Sequence, residues 1–490
     1  MGRDPRRTVI LDTNIAIYAQ DYADSGSEDG RTASEVLRAI GELGYTAVIA
    51  EATRADLQRG GNEHRAKRLR YAEHYPVVSP KSPDDLRERA GYRQNPRVND
   101  ECDLRILAAL DQGLGTWLIT NDARMIRHAE RAGLTHVLDA QEFLDFVAPA
   151  LHPSPPPPKV APADPDGVNV RSEFFSSLTA SYPEFYEWWQ GKVVTQGRTT
   201  FVVGEPDDPQ ALSVIKENDS DYGLPPDTTK ICTFKVSQDA RGQRYGELLL
   251  KATLTRIRAI PSSTTFLEVA ADNELVKWLP PFGFTTLDGV RAKNGDLVMV
   301  KRLMGRGKRS KTDPWTYHMT YGPGALLVRR AFLVPIRPHW HDRLFPGTSL
   351  QQPLPISPML TEPCGNALTK MYISHTGSRK PARGDTLLFV ETDGRSRISN
   401  IGVVEDVLVS RDPIEVLQFA GSRTVYTPQE IISMCDKGEV HVMRFRHDRT
   451  LSNPLHRKTP GYSQHIGTTP QSIKELRGER LEWVRRQLGG

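Results

Sequence analysis

Paired cysteines are missing from this chain: Cys102, Cys232, Cys364 and Cys435 stand far apart, without CxxC or CxxH spacing. That excludes a disulfide framework and a structural zinc finger, and it fits reduced thiols in a cytoplasmic protein. Long apolar runs are missing too, so no segment reads as a membrane span. The basic start from Arg3 to Arg7 is followed by too few apolar residues for a signal peptide, and position 6 is not the Ser or Thr of a myristoylation signal. Nor does one sign of charge dominate. With 64 Lys and Arg against 60 Asp and Glu, the net charge is +4, so a nucleic-acid surface would have to come from local clustering. At 490 residues the chain is too long for one core, and roughly two to four domains are expected.

What is present begins with Val9-Ile10-Leu11, a short apolar run closed by Asp12-Thr13-Asn14. It reads as a buried parallel strand turning into a helix, with Asp12 at the sheet edge where α/β folds place their chemistry. The plain alternative for Asp12 is a helix cap. Further acids fall at matching places: Asp56 on a helix from Glu51, Asp100 and Asp103 three apart on one helix face, and Asp122 after the strand Thr116 to Ile119. The alternating pattern up to Phe146 predicts an α/β/α parallel sheet. A site of carboxylates alone suits hard Mg2+ or Mn2+, which can activate water against a phosphodiester.

The stretches LDTN, ATRADLQRG, NDECDLRILAAL and LITND resemble a PIN-domain ribonuclease, the class that includes the VapC toxins, over residues 8 to 147. The resemblance implies an endoribonuclease dependent on Mg2+ or Mn2+, with Asp12, Asp56, Asp103 and Asp122 catalytic and Asp100 joining them as a metal ligand. It also implies RNA (mRNA or tRNA) as substrate, a protein inhibitor as partner, and a homodimer. Asp56 departs from the family's usual Glu, and Glu51 is the alternative. A degenerate, inactive fold is the reading against it.

Pro153 to Pro158 reads as a polyproline spacer that Ala161 to Gly167 continue. Beyond it, strands at Thr199 to Val203, Ala211 to Ile215 and Ile231 to Val236 lead into Asp239-Ala240-Arg241-Gly242-Gln243-Arg244-Tyr245-Gly246 and a long helix. A glycine-bearing strand-to-helix turn is a natural pyrophosphate cradle, because backbone N–H groups and the helix dipole face the anion. With RGQRYG and PFGF, residues 170 to 303 resemble the GNAT acetyltransferases. The resemblance implies an α+β fold binding acetyl-CoA through Val236, Arg241, Gly242, Gln243, Arg244, Tyr245 and Gly246. Two departures stand out: Arg244 replaces a loop glycine, where it either clashes with the cofactor or pairs with its phosphate, and Leu279 takes the place of the family's acidic tyrosine. Cys232 reads as a core thiol.

Lys301 to Lys311 form a basic connector, and short strands alternate with turns after it, the pattern of a small β-barrel. KMYISHT, RGDTLLFVETDG, NIGVVEDV and RTVYTPQEI resemble the PUA-like superfamily, in its ASCH or EVE branch, which implies RNA binding at Lys370, Tyr372, Ser374 and Arg423. His339-Trp340-His341-Asp342 lacks a completing metal ligand. The tail from Pro470 to Leu488 reads as a basic amphipathic helix.

The expected order is therefore a PIN-like nuclease at 1–150, a Pro-rich linker at 151–167, a GNAT-like domain at 168–303, a basic linker at 304–324 and a PUA-like barrel at 325–490. Metal-dependent RNA cleavage is the leading expectation. Its alternatives are acetyl-CoA-dependent transfer to a tRNA-linked amine or a protein, and a non-catalytic RNA-binding or toxin-neutralising adaptor.

Overall fold

The computed structural model describes residues 7–25, 27–59, 62–94, 97–151, 160–240, 244–303, 312–345, 367–375, 381–392 and 396–489. It is a multidomain α/β structure with one parallel sheet and two mixed sheets. The chain falls into two compact units: Met1–Pro153 with Val409–Gly421 and Tyr426–Val440, and Ser154–Leu408 with Ser422–Val425 and His441–Gly490.

In the first unit, β1 (Thr8–Leu11), β2 (Thr46–Ala50), β3 (Val77–Val78), β4 (Trp117–Ile119) and β5 (Val137–Leu138) form a parallel sheet in the order β3-β2-β1-β4-β5. Val9, Ile10 and Leu11 are all 0% exposed, as a central strand covered on both faces requires. Ile10 packs with Val48, Leu104, Leu107, Leu118 and Met125. The strand order reverses between β1 and β4, so Asp12 and Asp122 leave the sheet at its switch point.

The same unit holds the helices Pro413–Ala420 and Pro428–Lys437, which the sequence pattern had grouped with the last module. Buried Asp412 caps the first of them through the Ile414 amide at 2.8 Å, and its carboxylate also accepts from Tyr45 Oη and from Trp117 Nε1 at 3.2 Å. Arg7 reaches the second helix, donating to the Ile432 carbonyl at 3.0 Å and pairing with Asp436 at 2.9 Å.

In the second unit, β6 (Val160–Ala163), β7 (Thr199–Glu205), β8 (Asp208–Lys216), β9 (Thr228–Val236), β10 (Thr264–Val269), β11 (Thr285–Arg291) and β12 (Leu297–Arg302) make a sheet in the order β11-β12-β10-β9-β8-β7-β6. The prolines at 153–158 lie outside the described residues. Residues 161–163, expected to prolong the spacer, instead pair along β7 together with Val160, and Pro162 is tolerated there because β6 is an edge strand. The helix Tyr245–Arg258 covers one face with Leu250, Leu254 and Ile257, while Phe175, Phe185 and Trp189 pack on Val202, Leu212 and Val214.

The strands expected to close a small barrel form a six-stranded mixed sheet: β13 (Ala331–Ile336), β14 (Thr369–Ser374), β15 (Thr386–Glu391), β16 (Ile398–Ser410), β17 (Val440–Leu455) and β18 (Lys474–Leu476), in the order β14-β17-β16-β15-β13-β18. The C-terminal segment is strand β18 followed by a helix at Glu479–Leu488, not one long helix from Pro470. No described helix is long and apolar enough to cross a membrane.

Candidate functional site

The strand pair β9 and β10 builds the most developed site. They are parallel neighbours in an otherwise antiparallel sheet, and their register ends at Phe266↔Lys230. Beyond that pair, β10 stays with β12, through Leu267↔Met299 to Val269↔Leu297, while β9 stays with β8. On the β8 side Ile215 pairs with Ile231 and Val214 with Thr233, so Cys232 is an extra, bulged residue. The bulge bends β9, and a wedge opens between it and β10 beyond their last pair.

A cavity of about 680 Å³ fills the wedge. Tyr182, Phe185, Trp188 and Phe234 give it an aromatic wall. Its polar floor is the Glu268 carboxylate, which accepts from Lys230 Nζ at 2.6 Å and Tyr222 Oη at 2.6 Å. Burial and the Glu268 charge push the Tyr222 phenol upward, so its proton stays on oxygen. On the rim, Tyr182 donates to Asp296 at 3.1 Å and Lys216 pairs with Asp219 at 2.9 Å. Arg198 Nη1 donates to Cys232 Sγ at 3.3 Å, yet burial raises the thiol and keeps it protonated, as expected of a packing cysteine.

At the neighbouring end of β9 the helix Tyr245–Arg258 begins. Gly246 lies close to Val236, where an added Cβ would meet Val236 Cγ2 at 3.4 Å, and Tyr245 is buried. Arg244 precedes the helix in the left-handed conformation, φ +64°. Of the residues expected to hold a cofactor, Val236, Arg244, Tyr245 and Gly246 gather here; Arg241, Gly242 and Gln243 lie outside the described residues. Leu279 is a core residue, 1% exposed, and supplies no acid. Glu268 was missed in the sequence, although a lone acid inside Thr264–Val269 is a usable signal.

The acidic positions of the first unit lie within electrostatic reach of one another at the switch point. Asp12 is 5% exposed and accepts from the Thr13 amide and Thr120 Oγ1, both at 2.6 Å. Burial raises it to about 6, with the charges of Asp122 and Asp56 adding to the shift. Asp103 is raised to about 7, by burial first and then by Asp12 and Asp122. Asp122 caps the helix Ala123–Arg131 through the Arg124 amide at 2.7 Å, and Asp100 is paired with the Arg124 guanidinium. Oxygen donors of this kind suit Mg2+ or Mn2+ chemically. The arrangement does not: among the described residues no three His, Cys, Asp or Glu side chains converge as a metal-holding group.

The RNA-binding candidates are turned inward. Lys370 is 0% exposed and donates to the Leu344 carbonyl at 2.7 Å, and buried Tyr372 donates to the Pro335 carbonyl at 2.6 Å. Ser374 Oγ is buried, and Arg423 reaches Glu247 at 3.3 Å. His341 is likewise internal, with Ser399 Oγ and Asn400 Nδ2 each 3.1 Å from Nε2.

No family model and no curated protein matches the sequence. Solved structures resemble parts of it. The ASCH protein of Zymomonas mobilis aligns at 11% identity over 32% of this chain and 95% of its own, with a TM-score of 0.25. A Klebsiella pneumoniae protein titled as a candidate acyl-CoA N-acyltransferase aligns at 18% identity over 30% of this chain and 97% of its own, with a TM-score of 0.23. A candidate acetyltransferase of Salmonella typhimurium, solved with acetyl-CoA, aligns at 14% identity over 31% of this chain and 98% of its own, with a TM-score of 0.25. At these scores they fix neither an activity nor a substrate.

Proposed function

We propose that the chain is an acyl-CoA-dependent N-acyltransferase whose active site is the wedge between β9 and β10. The observation that carries this reading is the divergence itself. A parallel pair parts at a bulge beside a helix N-terminus, and a cavity lies in the gap. The residues fit an acyl-CoA ligand: the start of the helix Tyr245–Arg258 offers backbone amides to a phosphate, and among the described residues the buried Nη1 of Arg244 has no hydrogen-bond partner.

Acyl-CoA, when bound, supplies a thioester carbonyl, at which an amine forms the new C–N bond while the C–S bond breaks. The residues of this chain prepare the amine. Glu268 is the carboxylate at the floor of the cavity, and it takes the proton the amine loses. Lys230 and Tyr222 hold that carboxylate in place. The aromatic wall excludes water and orients the acceptor. With Leu279 where the family puts a phenol, the departing sulfur takes its proton from solvent. The test is acceptor-dependent release of CoA thiol from acetyl-CoA across primary amines, deacylated and aminoacylated tRNA, and lysine peptides. Release with no acceptor in that panel would count against the reading.

The carboxylates support a second reading, the PIN-like ribonuclease acting on mRNA or tRNA, held in check by a protein inhibitor or in a homodimer. What favours it is that the acids share the switch point: burial first, and then the neighbouring carboxylates, raise Asp12 and Asp103. Cleavage of total RNA with Mg2+ or Mn2+, lost in Asp12→Asn and with EDTA, would support it. Intact RNA under all conditions would reject it.

A further inference from the structure

The cavity between β9 and β10 carries a second carboxylate. Asp296 lines it together with Glu268, and stands immediately before β12, two residues ahead of Val298, the cross-strand partner of Glu268. On one face of an antiparallel pair such diagonal neighbours lie about 7–8 Å apart. Tyr182 feels both: its phenol donates to Asp296 at 3.1 Å, and burial first, then Asp296, with Glu268 adding to it, pushes the phenol upward. The two acids differ in what neutralises them. Glu268 has Lys230 at 2.6 Å. Asp296 has only neutral donors, Tyr182 Oη and Asn294 Nδ2 at 2.8 Å, and forms no ion pair among the described residues. The cavity's other cations are committed elsewhere: Lys216 pairs with Asp219 at 2.9 Å, and Arg198 donates to Gln196 Oε1 at 2.9 Å and lies over the Trp188 ring. At the mouth, exposed Lys192 is set against the exposed acids Glu184 and Asp221.

We propose that the acceptor is an aliphatic diamine, held with one nitrogen at Glu268 and the other, as an ammonium, at Asp296 against the Tyr182 ring. This rests on the acyltransferase reading of the wedge and names its substrate class. A diagonal separation of about 7–8 Å is one that a diamine of about four or five carbons bridges. Tyr182, Phe185 and Trp188 cover the methylenes, and an ammonium over an aromatic face is attracted to the ring. The nitrogen at Glu268 reacts in its neutral form. It bonds to the thioester carbonyl carbon, its proton passes to Glu268, the C–S bond breaks, and CoA leaves as the thiol with a proton from solvent. The nitrogen at Asp296 stays protonated throughout, so Asp296 is a binding residue that sets specificity.

Thiol release from acetyl-CoA by the full chain tests the inference, with putrescine and cadaverine set beside butylamine and pentylamine, which match them in length and lack the second nitrogen. The diamines are expected to exceed the matched monoamines about tenfold or more in kcat/KM, since a charge-assisted hydrogen bond is added. In Asp296→Asn that ratio should collapse toward one, through a higher KM for the diamine and not a lower kcat, and Asp296→Glu should restore part of it. Added salt should narrow the gap in the unaltered protein. Calorimetric titration of putrescine reads the same contact without turnover, and its affinity should fall by a similar factor in Asp296→Asn. Equal use of diamines and monoamines, or a preference and a putrescine affinity that survive in Asp296→Asn, overturns the inference and leaves the acyltransferase reading in place. So does thiol release with aminoacylated tRNA or a lysine peptide but with no diamine. No thiol release with any acceptor removes that reading, and the inference with it.

Discussion

Lys230 and Glu268 face each other across the two parallel strands of the central sheet, Nζ to Oε1 at 2.6 Å, where Lys230 belongs to the last residue pair that joins those strands and Glu268 lies two residues past it. The bridge ties the strands together where they part and sets the carboxylate at the base of the cavity. Glu268→Gln keeps the size and the hydrogen-bonding capacity but cannot take a proton. Acyl transfer should fall about 100-fold or more with acetyl-CoA affinity unchanged, as read by thiol release beside calorimetry. Equal loss of affinity and rate would make Glu268 a structural residue.

Asp103 gives the pH dependence of the first unit. Its carboxyl is raised to about 7 from the usual 3.8, so the folded state binds this proton more tightly than the unfolded chain does. The stabilising contribution is full below about pH 4 and is lost as pH rises through 7. Asp103→Asn should therefore raise the unfolding temperature at pH 8, and the gain should vanish near pH 4. A gain that grew on acidification would contradict the assignment.

Asp412 anchors helices from the far end of the chain to the parallel sheet, with Tyr45 and Trp117 as donors. Asp412→Ala leaves two buried donors unsatisfied and should cost about 3 kcal/mol in denaturant unfolding. For the same reason, residues 1–153 expressed alone should give less cooperative unfolding than the full chain. A fully cooperative fragment would show that residues 409–440 are dispensable.

Gly283 explains the PFGF stretch by packing. It adopts φ +84°, and an added Cβ would press on the Met319 and Thr320 carbonyls and on Lys301 Nζ, which donates to both. Gly283→Ala should destabilise by about 2 kcal/mol or more, measured by urea titration. A neutral effect would mean the Lys301 contacts can shift freely.

The parallel sheet was legible because the apolar run Val9-Ile10-Leu11 recurs in alternation with helical patterns, and Asp12 at its end marks the edge. The strand, turn and helix around Val236 and Tyr245 were legible for the same local reasons. Glu268 was not, since its meaning comes from Lys230 and Tyr222, which lie 38 and 46 residues away. The link from Tyr45 to Asp412 spans 367 residues, and no local pattern announces it. Lys370 and Tyr372 were expected in an RNA-binding cleft because of the PUA-like resemblance. Here both are buried, and each is satisfied by a backbone carbonyl.

The most direct test of the acyltransferase account is calorimetric titration of acetyl-CoA into the unaltered full-length protein. The account predicts one saturable site per chain and a matching rise in unfolding temperature with ligand concentration. An absence of binding heat together with an unchanged unfolding temperature would contradict it.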